Sequence, residues 1–426
     1  MELFPRLALT ILGSLMLTRL LMPAARRIGL SWGLVDHPSW RRRQKAAVPC
    51  SGGIAIYAAG LVAAVVLLTQ VGPAFRPSAL LALGLAGLGT VLLGVVDDRF
   101  GLHAEKKLLG QVIVVSIPMA AGLTLENIFL PYIGVVELGV FAGPVTLFWY
   151  LGFINSVNLI DGLDGLAGGI VTVVLGAMLM TVAGSDPVGA LWIAALLGTV
   201  GGFLRDNLSG DRIFLGDAGS MLLGLWLAGL ALGLAPQHGE IPLLAVAAML
   251  VPVLDTGTTI VRRWRRGVSM FRPDAEHLHH RLLQLGIPPL RVTVVLWCLS
   301  VAAASIGAIF LGHVAASVVA VSAVAIAAIE LAYSLQRDRH PELRRVLGYL
   351  LGAHPTLHPT DTVARLAQVI EMESYRDRND RAGDDSSPAA PSPVADGDAS
   401  YEPATAPAAS GTENDVVLAL PEDAPR

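Results

Sequence analysis

Charge is scarce in this chain. Of its 426 residues only 15% are charged, while 54% are hydrophobic and 45 are glycine. No single water-soluble core of this length needs that balance, so membrane is the first reading. Cysteine is nearly absent: Cys50 and Cys298 lie beside or inside apolar runs and form neither a disulfide framework nor a metal motif, which leaves both structural. No Walker-type Gly-Lys-Ser/Thr loop is present to suggest nucleotide hydrolysis, and no repeat of fixed period or inverted halves of the transporter kind are evident. The first apolar stretch holds Arg6 and Arg19, lacks a small-residue cleavage site and runs straight into Arg26 and Arg27. It reads as a retained helix, not a signal peptide. The net charge of −4 says little about partners, because what matters in a membrane protein is where the basic residues lie.

What the chain has in abundance is apolar runs, recurring from Leu7 to Leu335. At about 18 to 22 residues each they are long enough to cross a hydrocarbon core roughly 30 Å thick. Helices are expected at roughly 3–23, 51–71, 78–96, 108–125, 138–154, 166–184, 188–204, 218–235, 241–260, 292–312 and 314–335. The fold class is therefore all-α, a polytopic integral membrane protein of about eleven transmembrane helices. With the N-terminus outside, the inner loops hold Arg26, Arg27, Arg41, Arg42, Arg43, Lys45, Arg99, Lys106, Lys107, Arg205 and Arg212, and the last large loop adds a further basic set from Arg262 to Arg281. The outer loops hold Arg76, so the positive-inside rule favours N-out and a cytoplasmic C-terminus. Residues 1–340 form the expected membrane domain and 341–426 a cytoplasmic tail, Pro-, Ala-, Ser- and Asp-rich and disordered from about 377.

On this topology four polar constellations fall on one side. Asp97 and Asp98 stand in LLGVVDDRFGLHAEKKLLGQ with Lys106, Lys107 and Gln111 behind them, and Asn155, Asn158, Asp161 and Asp164 lie in INSVNLIDGLDGLAGG. Asn207, Asp211, Phe214, Asp217 and Ser220 follow in DNLSGDRIFLGDAGS, and His277, His279 and His280 in PDAEHLHHRLL. Each alone has a plainer reading. The aspartate pair fits a solvated helix end, DGLDG a turn, and the basic loops mere topology; the histidines lack the cysteines or HExxH spacing of a zinc site. Together, several carboxylates at one depth suggest a shared polar site, and hard oxygen ligands of this kind suit magnesium carrying a diphosphate.

In this order the motifs resemble the polyprenyl-phosphate N-acetylhexosamine-1-phosphate transferase family, from about Gly33 to Leu285. DHPSWRRRQKAAVPCSGG looks like the family's first inner loop, VVDDRFGLHAEKKLLGQ like its aspartate-pair motif, and NLIDGLDGLAGG and FLGDAGS like its most diagnostic motifs. RRWRRGVSMFRPDAEHLHHRLL is similar to the last inner loop of the WecA-type branch, which transfers N-acetylglucosamine-1-phosphate; the muramyl-pentapeptide branch usually shows three consecutive histidines, whereas here Leu278 intervenes. Two departures are Gln44, where histidine is common, and Gly210-Asp211, where Pro-Ala is common.

The resemblance implies a bacterial inner-membrane enzyme with its active site on the cytoplasmic face. It would move N-acetylglucosamine-1-phosphate from UDP-N-acetylglucosamine to undecaprenyl or decaprenyl phosphate, with no nucleic-acid partner and with a homodimer plausible. It further implies Mg2+, or Mn2+ in its place, on Asp217 with Asp98 and Asn158 close by. Asp161 and Asp164 would line the nucleotide pocket, with Phe214 stacking on uracil and Asn207 nearby. Asp97 would orient or deprotonate the lipid phosphate, while Lys107, Arg281, His277, His279 and His280 hold diphosphate and sugar. Direct attack by the lipid phosphate is favoured over a covalent aspartyl-phosphate, though both routes stay open. Rival readings are another UDP-sugar donor, or a transporter or flippase, which would more naturally place its acidic residues near mid-bilayer.

Overall fold

The computed structural model describes residues 3–36, 47–74, 76–209, 213–265, 267, 277–284, 287–313 and 316–336, all within the first of two units, Met1–His354. The basic stretch 41–45, Gly210-Asp211 and the expected tail at 341–426 lie outside the described residues.

In chain order the helices are α1 (Leu3–Ser31), α2 (Gly52–Gln70), α3 (Pro77–Phe100), α4 (Ala104–Ala120), α5 (Ala142–Ile160), α6 (Leu166–Val182), α7 (Pro187–Asn207), α8 (Gly216–Leu234), α9 (Ile241–Ala248), α10 (Leu250–Arg265), α11 (Leu278–Gln284), α12 (Pro289–Phe310) and α13 (Ala316–Gln336). A described helix falls on each expected segment, although α4 ends at Ala120, short of the expected 125. By length and composition seven helices are able to cross a membrane, or eight if α9 and α10 count as one broken span; α6 and the apolar part of α13 are shorter. The chain is a helical multi-pass membrane protein, and the count of eleven exceeds what length and hydropathy alone support.

The expected span at 241–260 is bent by 68° between α9 and α10. Pro252 explains the break: it has no N–H to offer Ala248, and its ring crowds that carbonyl four residues back. Beyond the bend α10 is amphipathic, with Leu254, Ile260, Val261 and Trp264 exposed and three arginines in its last turn. That pattern suits a helix lying at an interface more than one buried in hydrocarbon.

α8 is the centre of the bundle. Its residues from Ala218 to Leu234 are apolar or small nearly all round and are buried almost without interruption, as expected of a helix surrounded by others. Close approach there depends on small residues: a Cβ at Gly94 of α3 would run into the backbone of Ala218, and one at Gly53 of α2 into that of Gly219. Missing side chains at these crossings let three backbones meet at the N-terminus of α8.

Two short antiparallel ribbons complete the described fold. β1 (Val35–Asp36) pairs with β2 (Val48–Pro49), and β3 (Asn127–Leu130) with β4 (Gly134–Glu137). The first holds the chain end beside α8, because Phe214 N–H donates to Pro49 O (2.8 Å) and Gly52 N–H donates back to Phe214 O (3.0 Å). The second, absent from the sequence expectations, lies at the opposite end of the bundle.

Candidate active site

Asp97 and Asp98 come from the last turn of α3 and meet the first turn of α8. Asp98 accepts backbone N–H donors from Asp217 at Oδ1 (3.0 Å) and from Ala218 at Oδ2 (3.3 Å). It thus caps two of the N–H groups that a helix start leaves free and places a negative charge where the helix dipole favours it. The cap fixes the backbone from which the Asp217 side chain projects.

Asp97, 9% exposed, is held by its own turn, with Leu102 N–H donating to its Oδ1 (2.8 Å). Its other oxygen receives the Lys107 ammonium at 2.8 Å. Lys107 also lies 3.2 Å from Asp217 Oδ1 and donates to Asn158 Oδ1 (3.0 Å). The Asn158 amide nitrogen in turn donates to Asp217 Oδ1 and to Ser220 Oγ (2.8 Å). One lysine from α4, one asparagine from α5 and one aspartate each from α3 and α8 therefore form a closed polar network. Beneath it Gln111 and Asn155 pair reciprocally, Asn155 Nδ2 to Gln111 Oε1 at 2.8 Å and Gln111 Nε2 to Asn155 Oδ1 at 3.3 Å, which locks α4 against α5.

Within this group two carboxylates, Asp97 and Asp217, share one ammonium, and Asp98 adds a third at the α8 cap. The donors are hard oxygens and the uncompensated charge is negative, which is the chemistry of a divalent cation site. Among the described residues no three acidic, cysteine or histidine side chains are arranged to enclose an ion by themselves. Magnesium commonly takes one or two carboxylates and completes its shell with water and phosphate oxygens, so the residues present fit an ion that arrives with a diphosphate.

The DGLDG turn follows α5 directly, three residues beyond Asn158. Asp161 and Asp164 are half-buried in it, and Gly165 starts α6 at a left-handed φ of 78°. Asn207, 5% exposed at the end of α7, is committed to backbone at both ends of its amide. Its Oδ1 accepts from Gly165 N–H (2.6 Å) and its Nδ2 donates to Ile213 O (2.9 Å). Expected near the nucleotide, Asn207 acts here as a clamp between the DGLDG turn and the strand-like entry to α8. Phe214, next in that entry, is half-buried, with its backbone held by β2 and Gly52.

α11 carries the histidines against the same turn. His277 Nδ1 lies 3.0 Å from Asp255 Oδ2, and Leu278 N–H donates to Asp255 Oδ1 (2.9 Å), so Asp255 of α10 both pairs the first histidine and caps the helix. The sequence reading did not single out Asp255; its only local sign is a lone carboxylate in the apolar and threonine-rich part of α10 before its arginines. His279 is 2% exposed, its Nε2 has no hydrogen-bond partner, and it sits against Gly162. Burial, then the neighbouring His280 and His277, hold its pKa down to about 4, so it is a neutral imidazole near pH 7. His280 packs against His279 with ring centroids 4.1 Å apart, and Arg281 is exposed on the same helix.

The structure thus brings Asp97, Asp98, Lys107, Asn158 and Asp217 into one network. Asp161, Asp164, Asn207, Phe214 and the α11 histidines form an adjoining set linked through Asn207 and Gly162. Asp211 lies outside the described residues.

The described chain is thus a multi-pass helical protein with an acidic network at one end of its bundle, beside a DGLDG turn and a histidine-bearing helix. Residues 80–235 match the glycosyl transferase family 4 profile. The chain is 35% identical over 295 residues to an undecaprenyl-phosphate alpha-N-acetylglucosaminyl 1-phosphate transferase of Yersinia pestis, covering 66% of this chain and 78% of that protein. It is 32% identical over 302 residues to a probable undecaprenyl-phosphate N-acetylglucosaminyl 1-phosphate transferase of Bacillus subtilis (69% and 82% covered). It is 33% identical over 321 residues to a decaprenyl-phosphate N-acetylglucosaminephosphotransferase of Mycobacterium tuberculosis (68% and 79% covered). The chain belongs to glycosyl transferase family 4.

Proposed function

We propose that this protein is a phosphotransferase that moves N-acetylglucosamine-1-phosphate from UDP-N-acetylglucosamine onto a polyprenyl phosphate, releasing UMP. The observation that carries this reading is the Lys107 ammonium held between Asp97 and Asp217 beside Asn158, at the capped start of α8. The relatives' activities and the adjoining DGLDG turn and histidine helix support it.

An oxygen of the lipid phosphate attacks the β-phosphorus of the donor, and the bond from that phosphorus to the bridging oxygen breaks. UMP leaves with the electron pair. A phosphate monoester with a second pKa near 6 is already largely dianionic at neutral pH, so little base catalysis is needed. Asp97, salt-bridged to Lys107, positions the acceptor instead of activating it strongly. Asp217 would hold magnesium, with Asp98 fixing its backbone and Asn158 its side chain. An ion bound there would offset charge on the leaving phosphate. Lys107 adds a fixed positive charge, Asp161, Asp164 and Phe214 face the nucleotide, and His280 and Arg281 face the diphosphate and sugar, while His277 and His279 are buried.

The basic residues support an orientation with this end in the cytoplasm of a bacterial inner membrane, since Arg99, Lys106, Arg205, Arg262, Arg263 and Arg265 cluster here and Arg76 lies at the other end. A water-soluble donor and a lipid acceptor with its phosphate at headgroup level meet only at such an interface. The test is transfer of radiolabel from UDP-N-acetylglucosamine into organic-extractable lipid by purified protein with polyprenyl phosphate, with and without magnesium. Magnesium-dependent product with matching UMP release, lost in Asp217→Asn, is expected. Product with a different UDP-sugar only would replace the donor, and no product with any UDP-sugar would overturn the reading.

A further inference from the structure

At the end of the bundle away from the aspartates, the β3–β4 hairpin presents an unusual surface. Tyr132 at its tip is 94% exposed, and Ile133 (74%), Val135 (63%), Val140 (88%) and Phe141 (67%) follow it. Tyr132 has φ of 68°, the one non-glycine residue at positive φ among the described residues, so the turn holds an aromatic ring outward at some conformational cost. A two-stranded ribbon is marginal alone. Its base is secured by Thr146 Oγ1, which accepts from Leu125 N–H (2.9 Å), and by Leu138 N–H donating to Glu126 O (2.9 Å). Its first strand places Phe129 beside Gly239, in the turn just before α9. The second strand and the turn are left uncovered.

Three observations identify what covers them. The apolar strip does not end at the hairpin: Phe141 and Phe148 (75% exposed) are seven residues apart, two helical turns on one face, so the strip runs down the exposed flank of a candidate span. No lysine or arginine occurs between residues 121 and 142, and the acidic Glu126 and Glu137 sit at the hairpin base, away from its tip. Finally, α4 has 17 residues. It is not among the helices long and apolar enough to cross a membrane, and at 1.5 Å per residue its length of about 25 Å falls short of a hydrocarbon core roughly 30 Å thick, so its end at Ala120 does not by itself clear the lipid.

We infer that the β3–β4 hairpin is a membrane-interface anchor, seated in the leaflet opposite the candidate active site. Tyr132 and Phe141 lie at headgroup depth, where amphipathic and aromatic rings are favoured, and Ile133, Val135 and Val140 face acyl chains. The ribbon satisfies its own inner hydrogen bonds and leaves its free edge at the interface, where water is at hand.

The test places a nitroxide at Ile133→Cys, and separately at Val140→Cys, in the full chain with Cys50→Ser and Cys298→Ala. The protein is reconstituted in vesicles of phosphatidylethanolamine and phosphatidylglycerol. Collisions with oxygen, which partitions into lipid, are compared with collisions with a water-soluble nickel chelate. Retained oxygen collisions with loss of nickel collisions at both positions are expected. Strong nickel collisions would mean an aqueous hairpin, and loss of both would mean a protein contact such as a second copy; either overturns the inference. Should the label at 133 unseat the turn, the label at 140, on the helical side of the ribbon, reads the same depth independently.

Discussion

Asn207 separates a clamp from a substrate contact. Replacing it with alanine removes the acceptor of Gly165 N–H and the donor to Ile213 O, both within a residue that is 5% exposed. Two buried backbone groups are left unpaired at about 1–3 kcal/mol each, so Asn207→Ala should destabilise the fold by about 2–6 kcal/mol unless water enters. The damage should be shared by the DGLDG turn on one side and the Phe214 segment on the other. The assay pairs thermal unfolding in detergent with steady-state transfer at varied UDP-N-acetylglucosamine. A clear drop in unfolding temperature together with a raised donor KM is expected. Asn207→Asp keeps the acceptor for Gly165 but sets a carboxylate oxygen against Ile213 O, and should be at least as unstable as the alanine variant. Unchanged thermal stability in both variants with loss of donor binding would refute the clamp and make Asn207 a direct nucleotide contact.

Lys107→Met should lower kcat by about 100-fold, the scale of a lost charge-stabilising donor, with a smaller change in donor KM; transfer rates at saturating magnesium decide it. Gly94→Val drives a side chain into the backbone at Ala218 and should cost about 1–3 kcal/mol of stability while displacing the Asp98 cap, seen as lower thermal stability and weaker magnesium dependence. His279 should make the protein acid-labile: its folded pKa of about 4 lies below the ordinary 6.5, so the unfolded chain takes the proton first. Its contribution, about 3 kcal/mol, is full above pH 6.5 and lost as pH falls towards 4, and His279→Gln should flatten that part of the stability profile. Asp255→Asn keeps an acceptor for Leu278 N–H but removes the charge beside His277, whereas Asp255→Ala removes both; the alanine variant should lose a further 0.5–2 kcal/mol or so of stability, the ordinary value of a helix cap, read by thermal unfolding.

The spans were legible because each is a run of apolar residues broken by charge, glycine or proline, and a described helix falls on every expected segment. The break before Pro252 was present in the sequence but masked by continuous hydrophobicity on both sides. The β3–β4 hairpin falls in the connection between the expected helices at 108–125 and 138–154, and Ile128 to Val136 is apolar without strict alternation, so it carries no strand signal. At the site, residue types in order were enough to gather Asp97, Asp98, Lys107, Asn158 and Asp217. Their division of labour was not, because it depends on which backbone each side chain reaches. Asp98 as a cap, Asn207 as a clamp and Asp255 as the partner of His277 are all contacts between residues distant in sequence.

Those contacts also explain why the candidate site sits where α2, α3 and α8 cross. An acidic network at the end of a membrane helix is costly unless something holds it in register with its counter-charges. Gly53 and Gly94 allow the backbones to approach, and the approach brings Asp98 within reach of the N–H groups of Asp217 and Ala218. Once α8 is pinned, the Asp217 side chain can face Lys107 and Asn158 from two further helices. Packing of small residues inside the bilayer and charge placement at its surface are therefore one device: loosening the glycine crossing should move the carboxylates before it unfolds the bundle.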